Sequence, residues 1–283
     1  MAHRYGPISS HHMIAWMECE SALVTVDTGW DVAIGESYLD SDLEALVQAS
    51  LTSEKPVSHV LLTHNHRDHR LNLPFLLEHW PDLQLCAHPA GNVEGIAMPL
   101  QGGETLVIGG QTIQALHTPG HSQERDELSF YLPEHRFLFC GDALQPQGPS
   151  YAYSNGPSPV PYFHYGDEYQ RTLERLIALD PLHILTGHGS FLASEQGKQW
   201  LRVTLTTIMR IDELAMELVE RYPDKGAEWH AESVYDQIAD ERHYGLRAAT
   251  QRKRQSTYPG ETDYERFDRP GILDAVRRAQ QIF

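Results

Sequence analysis

Apolar positions along the chain fall into two periods. Short runs of strand length lie at Ala22 to Val26, Val57 to Leu62, Leu83 to Ala87, Thr105 to Ile108, Thr112 to Leu116, Leu128 to Leu132, Arg136 to Cys140 and His183 to Leu185. Turn residues bound them: Asp27-Thr28-Gly29, Pro56, Gly102-Gly103, Gly109-Gly110, and Pro133-Glu134-His135 as a hairpin connection. Between the runs, Leu39, Leu43, Leu46 and Val47 repeat at helical spacing behind Asp40 or Ser41 as a cap, and Leu71 to Trp80 and Glu168 to Leu179 also read as helices. The pattern is mixed α/β. From Ser194 the period becomes helical, over Trp200 to Arg221, Ala231 to Ala239 and Gly271 to Ile282, with the charged stretch Arg242 to Arg269 expected as an exposed connection. Two regions follow, residues 1–193 as an α/β domain and 194–283 as a helical module packing on it.

The strand-like runs end on polar chemistry. Val57 to Leu62 delivers Thr63-His64-Asn65-His66-Arg67-Asp68-His69, Leu116 runs into His117-Thr118-Pro119-Gly120-His121, Cys140 into Gly141-Asp142, and Leu185 into Thr186-Gly187-His188-Gly189. Divalent metals of borderline hardness bind neutral imidazole and carboxylate, and two histidines one residue apart on a strand-end loop reach the same ion. The tract Gln145 to Asp167, rich in Pro, Gly and Tyr, is too long for a plain connection. We expect an ordered loop over the site, with Gln145, Tyr151, Tyr153, Tyr162, Phe163, His164 and Tyr165, together with Arg67, as substrate-pocket candidates.

Composition narrows the partners. The 283-residue chain carries a formal charge of -17, which opposes binding to polyphosphate backbones. No nucleic-acid partner is expected, and Arg252-Lys253-Arg254 reads as a solvated face. No apolar stretch reaches membrane-spanning length, and the N-terminal residues lack the apolar centre of a signal peptide, so no membrane partner and a cytoplasmic location are expected. Cys19, Cys86 and Cys140 have no paired spacing and read as buried free thiols. There is no Gly-x-Ser-x-Gly elbow and no Gly-rich phosphate loop.

His64, His66, Asp68 and His69 match the His-x-His-x-Asp-His signature of the metallo-β-lactamase superfamily. His117 to Ser122, Phe139 to Asp142 and Thr186 to Gly189 resemble its remaining motifs in order. The resemblance covers about residues 20 to 190. It implies a four-layer αββα sandwich with a C-terminal helical module, and a metal-bridging hydroxide as the agent of hydrolysis. Position by position it implies that His64, His66 and His121 bind one metal and that Asp68, His69 and His188 bind another. Asp142 bridges the two, and Asp27 stands behind the ligands. Asp68 and Asp142 are the expected catalytic carboxylates.

The resulting expectation is a dinuclear hydrolase of a small ester, thioester or lactone, using two divalent ions, zinc first, with iron or manganese as alternatives. The expected partner is a small-molecule substrate, with a homodimer left open. Two rival readings stand beside it: a mononuclear iron oxidoreductase resembling the persulfide dioxygenases, and a regulatory protein acting through its helical tail. The sequence departs from the family pattern at four places, the first being Arg67, which puts a guanidinium inside the motif. Arg70-Leu71-Asn72 replaces a glycine after the Asp-His pair, Gln145 stands where the lactonase branch often has tyrosine, and Gln123 to Glu127 forms a longer, more charged loop after His121 than glyoxalase II-like members carry.

Overall fold

A computed structural model describes residues 14–29, 41–145, 158–188, 191–193, 195–242, 250–254 and 260–283. They divide into two compact units, Met1–Ala143 with Pro181–Gly197, and Leu144–Asp180 with Lys198–Phe283. Tyr151 and Tyr153, and the cap and first apolar position of the first helix (Asp40, Leu39), lie outside the described residues.

The first unit contains two mixed sheets. One has the order β1 (Ala15–Glu18), β2 (Leu23–Val26), β3 (Val57–Leu61), β4 (Gln84–Ala87) and β5 (Met98–Pro99). Only β1–β2 is antiparallel; β2, β3, β4 and β5 run parallel, as the expected strand-helix-strand unit through α1 (Ser41–Ser53) requires. The other sheet comprises β6 (Thr105–Ile108), β7 (Gln111–His117), β8 (Leu128–Leu132), β9 (Phe137–Gly141), β10 (His183–Thr186) and β11 (Phe191–Ala193), in the order β11-β10-β9-β8-β7-β6. Within it only β9 and β10 are parallel.

Side-chain alternation builds the layers. Val24, Val26 and Leu61 enter a core between the sheets with Ile113, Ala115, Phe130, Phe137 and Phe139. Their neighbours Leu23, Val57 and Val60 face the other way, onto Leu43 and Leu46 of α1 and onto Leu73 and Leu76 of α3 (Leu73–His79). A short helix α2 (Arg67–Arg70) precedes α3. All three cysteines are buried and free, and burial pushes the Cys86 thiol up to about 12. Strands β1, β5 and β11 were not expected. β1 is buried on both faces, so its sequence Ala-Trp-Met-Glu shows no alternation.

The second unit holds α4 (Gly166–Leu179), α5 (Glu195–Arg221) from Lys198 onward, α6 (Ala227–Glu241) and α7 (Arg269–Gln280), the last preceded by a π-helical turn at Tyr264–Asp268. Helix α7 packs against both α4 and α6. The expectation of an exposed connection between Arg242 and Arg269 holds at Gln251, Arg254, Gly260 and Glu261 but is corrected at Arg252, Asp263, Tyr264 and Asp268, which are buried. Arg252 is 3% exposed, and its guanidinium donates to Asp268 through Nε (2.6 Å) and Nη2 (2.9 Å). The Ser158 hydroxyl donates to the same carboxylate at 2.6 Å. Lys253 and Arg254 hid this role, because one basic residue of three turned inward.

Candidate metal centre

Strand ends create the centre. β2 and β3 are parallel neighbours and end together, releasing Asp27 and Thr63-His64 side by side, while the parallel pair β9 and β10 releases Asp142 and Gly187-His188. β7 supplies the loop that carries His121. Two backbone features make room. Gly141 has φ +51 with Thr63 against its α-carbon, and a Cβ on Gly187 would strike His69 Cε1 and sit 2.6 Å from Asp142 Oδ1.

Potential ligand atoms within 4.8 Å of one another form three overlapping groups: His64, His66, His121; His64, His69, Asp142; and Asp68, His69, His188. The Asp142 carboxylate lies among them. Its Oδ2 is 2.9 Å from His188 Nε2 and 3.4 Å from His121 Nε2, and its Oδ1 is 3.4 Å from His69 Nε2. Asp68 Oδ2 is 3.9 Å from both His69 Nε2 and His188 Nε2. His66 Nδ1 and His121 Nε2 approach to 3.0 Å.

Hydrogen bonds set the histidine tautomers. Asp27 Oδ2 can only accept, so His69 donates from Nδ1 at 2.7 Å and presents Nε2 as a lone pair. Thr63 donates its hydroxyl to Asp27 Oδ2 at 2.8 Å, which leaves its oxygen to accept from His64 Nδ1 at 3.0 Å. His64 Nε2 is then a lone pair as well. Both Nε2 atoms are buried and make no hydrogen bond. His64 Nε2, buried without a hydrogen-bond partner, and His69 Nε2, 3.4 Å from Asp142 Oδ1, are placed as donors for divalent cations and would otherwise be costly to bury.

Electrostatics tell the same story. Burial, followed by the neighbouring His69, His66 and His121, holds His64 well below the usual imidazole range, so it stays neutral. Burial also lowers His69 and His188, but the carboxylates of Asp142 and Asp68, and for His69 Asp27 too, outweigh it and raise both. Burial pushes Asp142 up, yet His188 and His69 bring it well below the carboxylate range.

The remaining sequence candidates are not among the three ligand groups. Arg67 is exposed on α2. Gln145, Tyr162, Phe163, His164 and Tyr165 belong to the second unit. There Gln145 Oε1 accepts from Tyr162 N at 3.4 Å, and His164 Nε2 pairs with Tyr162 Oη at 3.0 Å. Phe163 is fully buried, its ring resting on the α-carbon of Gly271 and near Tyr169, so it is a core residue of that unit. Thr63, Asp126 and Glu127 are site-building residues that motif spacing did not single out.

The profile of the metallo-beta-lactamase superfamily matches residues 20–188. The chain belongs to that superfamily. An atrochrysone carboxyl ACP thioesterase of Aspergillus fumigatus is 36% identical over 127 residues, 44% of this chain and 27% of the relative. A hydroxyacylglutathione hydrolase of Legionella pneumophila is 26% identical over 99 residues, 35% of this chain and 38% of the relative. The chain thus spans well under half the length of these curated relatives. Among solved structures, a metallo-beta-lactamase family protein of Thermus thermophilus has 20% identity and a TM-score of 0.54, covering 78% of this chain and 82% of its own. ETHE1 of Myxococcus xanthus has 19% identity and a TM-score of 0.55, covering 75% and 91%. These likenesses are of fold, and with the two sheets they establish the αββα sandwich with a C-terminal helical module. Among the described residues no helix is long and apolar enough to cross a membrane.

Proposed function

We propose that this chain is a metal-dependent hydrolase with two divalent ions, His64, His66 and His121 holding one, Asp68, His69 and His188 the other, and Asp142 shared between them. The observation that carries the reading is the position of Asp142, whose Oδ2 is within 3.4 Å of His121 and His188 and whose Oδ1 is 3.4 Å from His69. Zinc suits the imidazole and carboxylate donors best, and iron and manganese share the preference in part. Bound there, two divalent ions supply hydroxide near neutral pH and polarise a scissile carbonyl.

The chain's own residues do the positioning. Asp27 fixes His69 directly and His64 through Thr63, so both rings present Nε2 without a search over tautomers. Asp68, partly exposed beside His69 and His188, is the carboxylate placed to take up or hand on a proton. The preferred substrate is a small, partly apolar thioester, with ester and lactone as neighbours in chemistry. The relatives support this class, one being named a thioesterase and the other a hydrolase of an acylglutathione. The charge of -17 favours it over polyphosphates. Gln145, Tyr162, His164, Tyr165 and Arg67 are the residues to vary for specificity.

A panel of thioester, lactone, β-lactam and phosphodiester substrates tests the reading on wild type, His64→Ala and Asp142→Ala, with and without chelation. Thioester hydrolysis that chelation and both substitutions abolish is the expected result. Hydrolysis that survives all three contradicts it.

A further inference from the structure

The loop after His121, Gln123 to Glu127, is the departure from the family pattern that the chemistry above leaves unused. Its last two residues are acidic, yet Asp126 is 2% and Glu127 3% exposed. Two adjacent carboxylates are rarely buried without a task, since each must be repaid in hydrogen bonds.

The bonds they make are specific. Asp126 Oδ2 accepts from the backbone N–H of Asn65 at 2.7 Å, and Asp126 Oδ1 accepts from the Ser122 hydroxyl at 2.5 Å. Asn65 stands between His64 and His66, and Ser122 follows His121. One carboxylate therefore ties together the two segments that carry the three histidines of the first ligand group. Glu127 completes the clamp from the same side, with Oε1 accepting from the N–H groups of Ser122 (2.5 Å) and Gly120 (3.1 Å). The backbone adds Leu128 N to Thr63 O at 2.7 Å and Thr118 N to Glu127 O at 2.9 Å.

Packing closes the clamp from above. A Cβ on Gly91 would lie 2.5 Å from Asp126 Oδ2 and 3.2 Å from the Asn65 Cβ, so the Pro89–Gly91 turn rests on the carboxylate and keeps water from its bonds. Charge-assisted bonds to backbone donors in such a place are short and directional. They fix the spacing of the two loops whose His66 and His121 rings approach each other to 3.0 Å.

We propose that Asp126 is a positioning residue for metal binding: it locks the His64–His66 loop to the His121 loop, so that the three imidazoles are set at ligand spacing before a cation arrives. The inference rests on the metal-centre reading above. It assigns Asp126 no contact with substrate or metal.

Chelator competition on the full chain tests it, with zinc affinity measured for wild type, Asp126→Ala, Asp126→Asn, Ser122→Ala and Gly91→Ala. The cobalt-substituted proteins give visible ligand-field spectra, and metal-free melting temperatures report folding. Asp126→Ala should weaken metal binding by about tenfold or more and shift the cobalt bands. Asp126→Asn, which keeps one acceptor, should recover part of the loss. Gly91→Ala, which displaces the carboxylate without removing it, should follow Asp126→Ala and decides the matter should that variant fail to fold. Wild-type affinity and an unchanged cobalt spectrum in both Asp126→Ala and Gly91→Ala, or in Gly91→Ala alone where Asp126→Ala does not fold, overturn the proposal. A wild type that binds no metal defeats the metal-centre reading itself, a different result from unchanged variants of a metal-binding wild type.

Discussion

Asp27 accepts the Nδ1 proton of His69 at 2.7 Å, across 42 residues of sequence, and this bond decides which nitrogen of His69 faces the centre. The same oxygen accepts from Thr63, which in turn receives His64. One carboxylate thereby sets two of the rings in the ligand groups, His64 and His69, which together with Asp142 form one of them.

Replacing Asp27 with Asn should therefore weaken metal binding by roughly 10–100-fold while leaving the ligand set intact. Asp27 has φ 58, a left-handed conformation that Asn tolerates and Ala does not, so Asn isolates the electronic effect from backbone strain. Competition with a chromogenic chelator measures it. An affinity equal to wild type would show that the tautomers are set elsewhere.

Gly187→Ala should have an effect of similar size by a steric route. The added methyl would meet His69 and Asp142 together, two residues that both approach the shared position. A metal affinity at least about tenfold weaker, with a far-ultraviolet spectrum like wild type, is the expected outcome. Unaltered affinity would mean that the centre yields without cost.

In the helical unit, Asp268→Ala should destabilise by about 3–5 kcal/mol, because it strands the buried Arg252 guanidinium and frees Ser158. Replacing both partners by apolar residues, as in Arg252→Met with Asp268→Leu, should restore much of that stability, since neither charge is then left buried alone. Urea melts of the single and double variants make the comparison. A single variant as stable as wild type would show that the pair is solvated.

Much of this architecture was legible in the sequence, and the reason is local. The strands β3, β7, β9 and β10 announce themselves as apolar runs, and each breaks into polar residues near its end; these breaks marked the polar stretches, and the resemblance to the superfamily's motifs picked His64, His66, Asp68, His69, His121, Asp142 and His188 out of them. What stayed hidden depends on contacts distant in sequence. Thr63 looks like a strand-end threonine until Asp27 is placed beside it, and Asp126 looks like part of a solvated charged loop until Asn65 and Ser122 close on it. Arg252 was masked by the two basic residues that follow it, and Phe163 by its place in an aromatic tract that suggested a pocket lining. Buried polar groups carry no periodic signal, because their partners rather than their neighbours decide which way they face.

Metal content per chain, measured by elemental analysis of the purified protein after zinc loading and removal of free ions, tests the central claim most directly. Two ions per wild-type chain, falling in Asp142→Ala, are predicted from a carboxylate that lies within 3.4 Å of His69, His121 and His188. One ion or none in the wild type, or two retained without Asp142, would contradict the account.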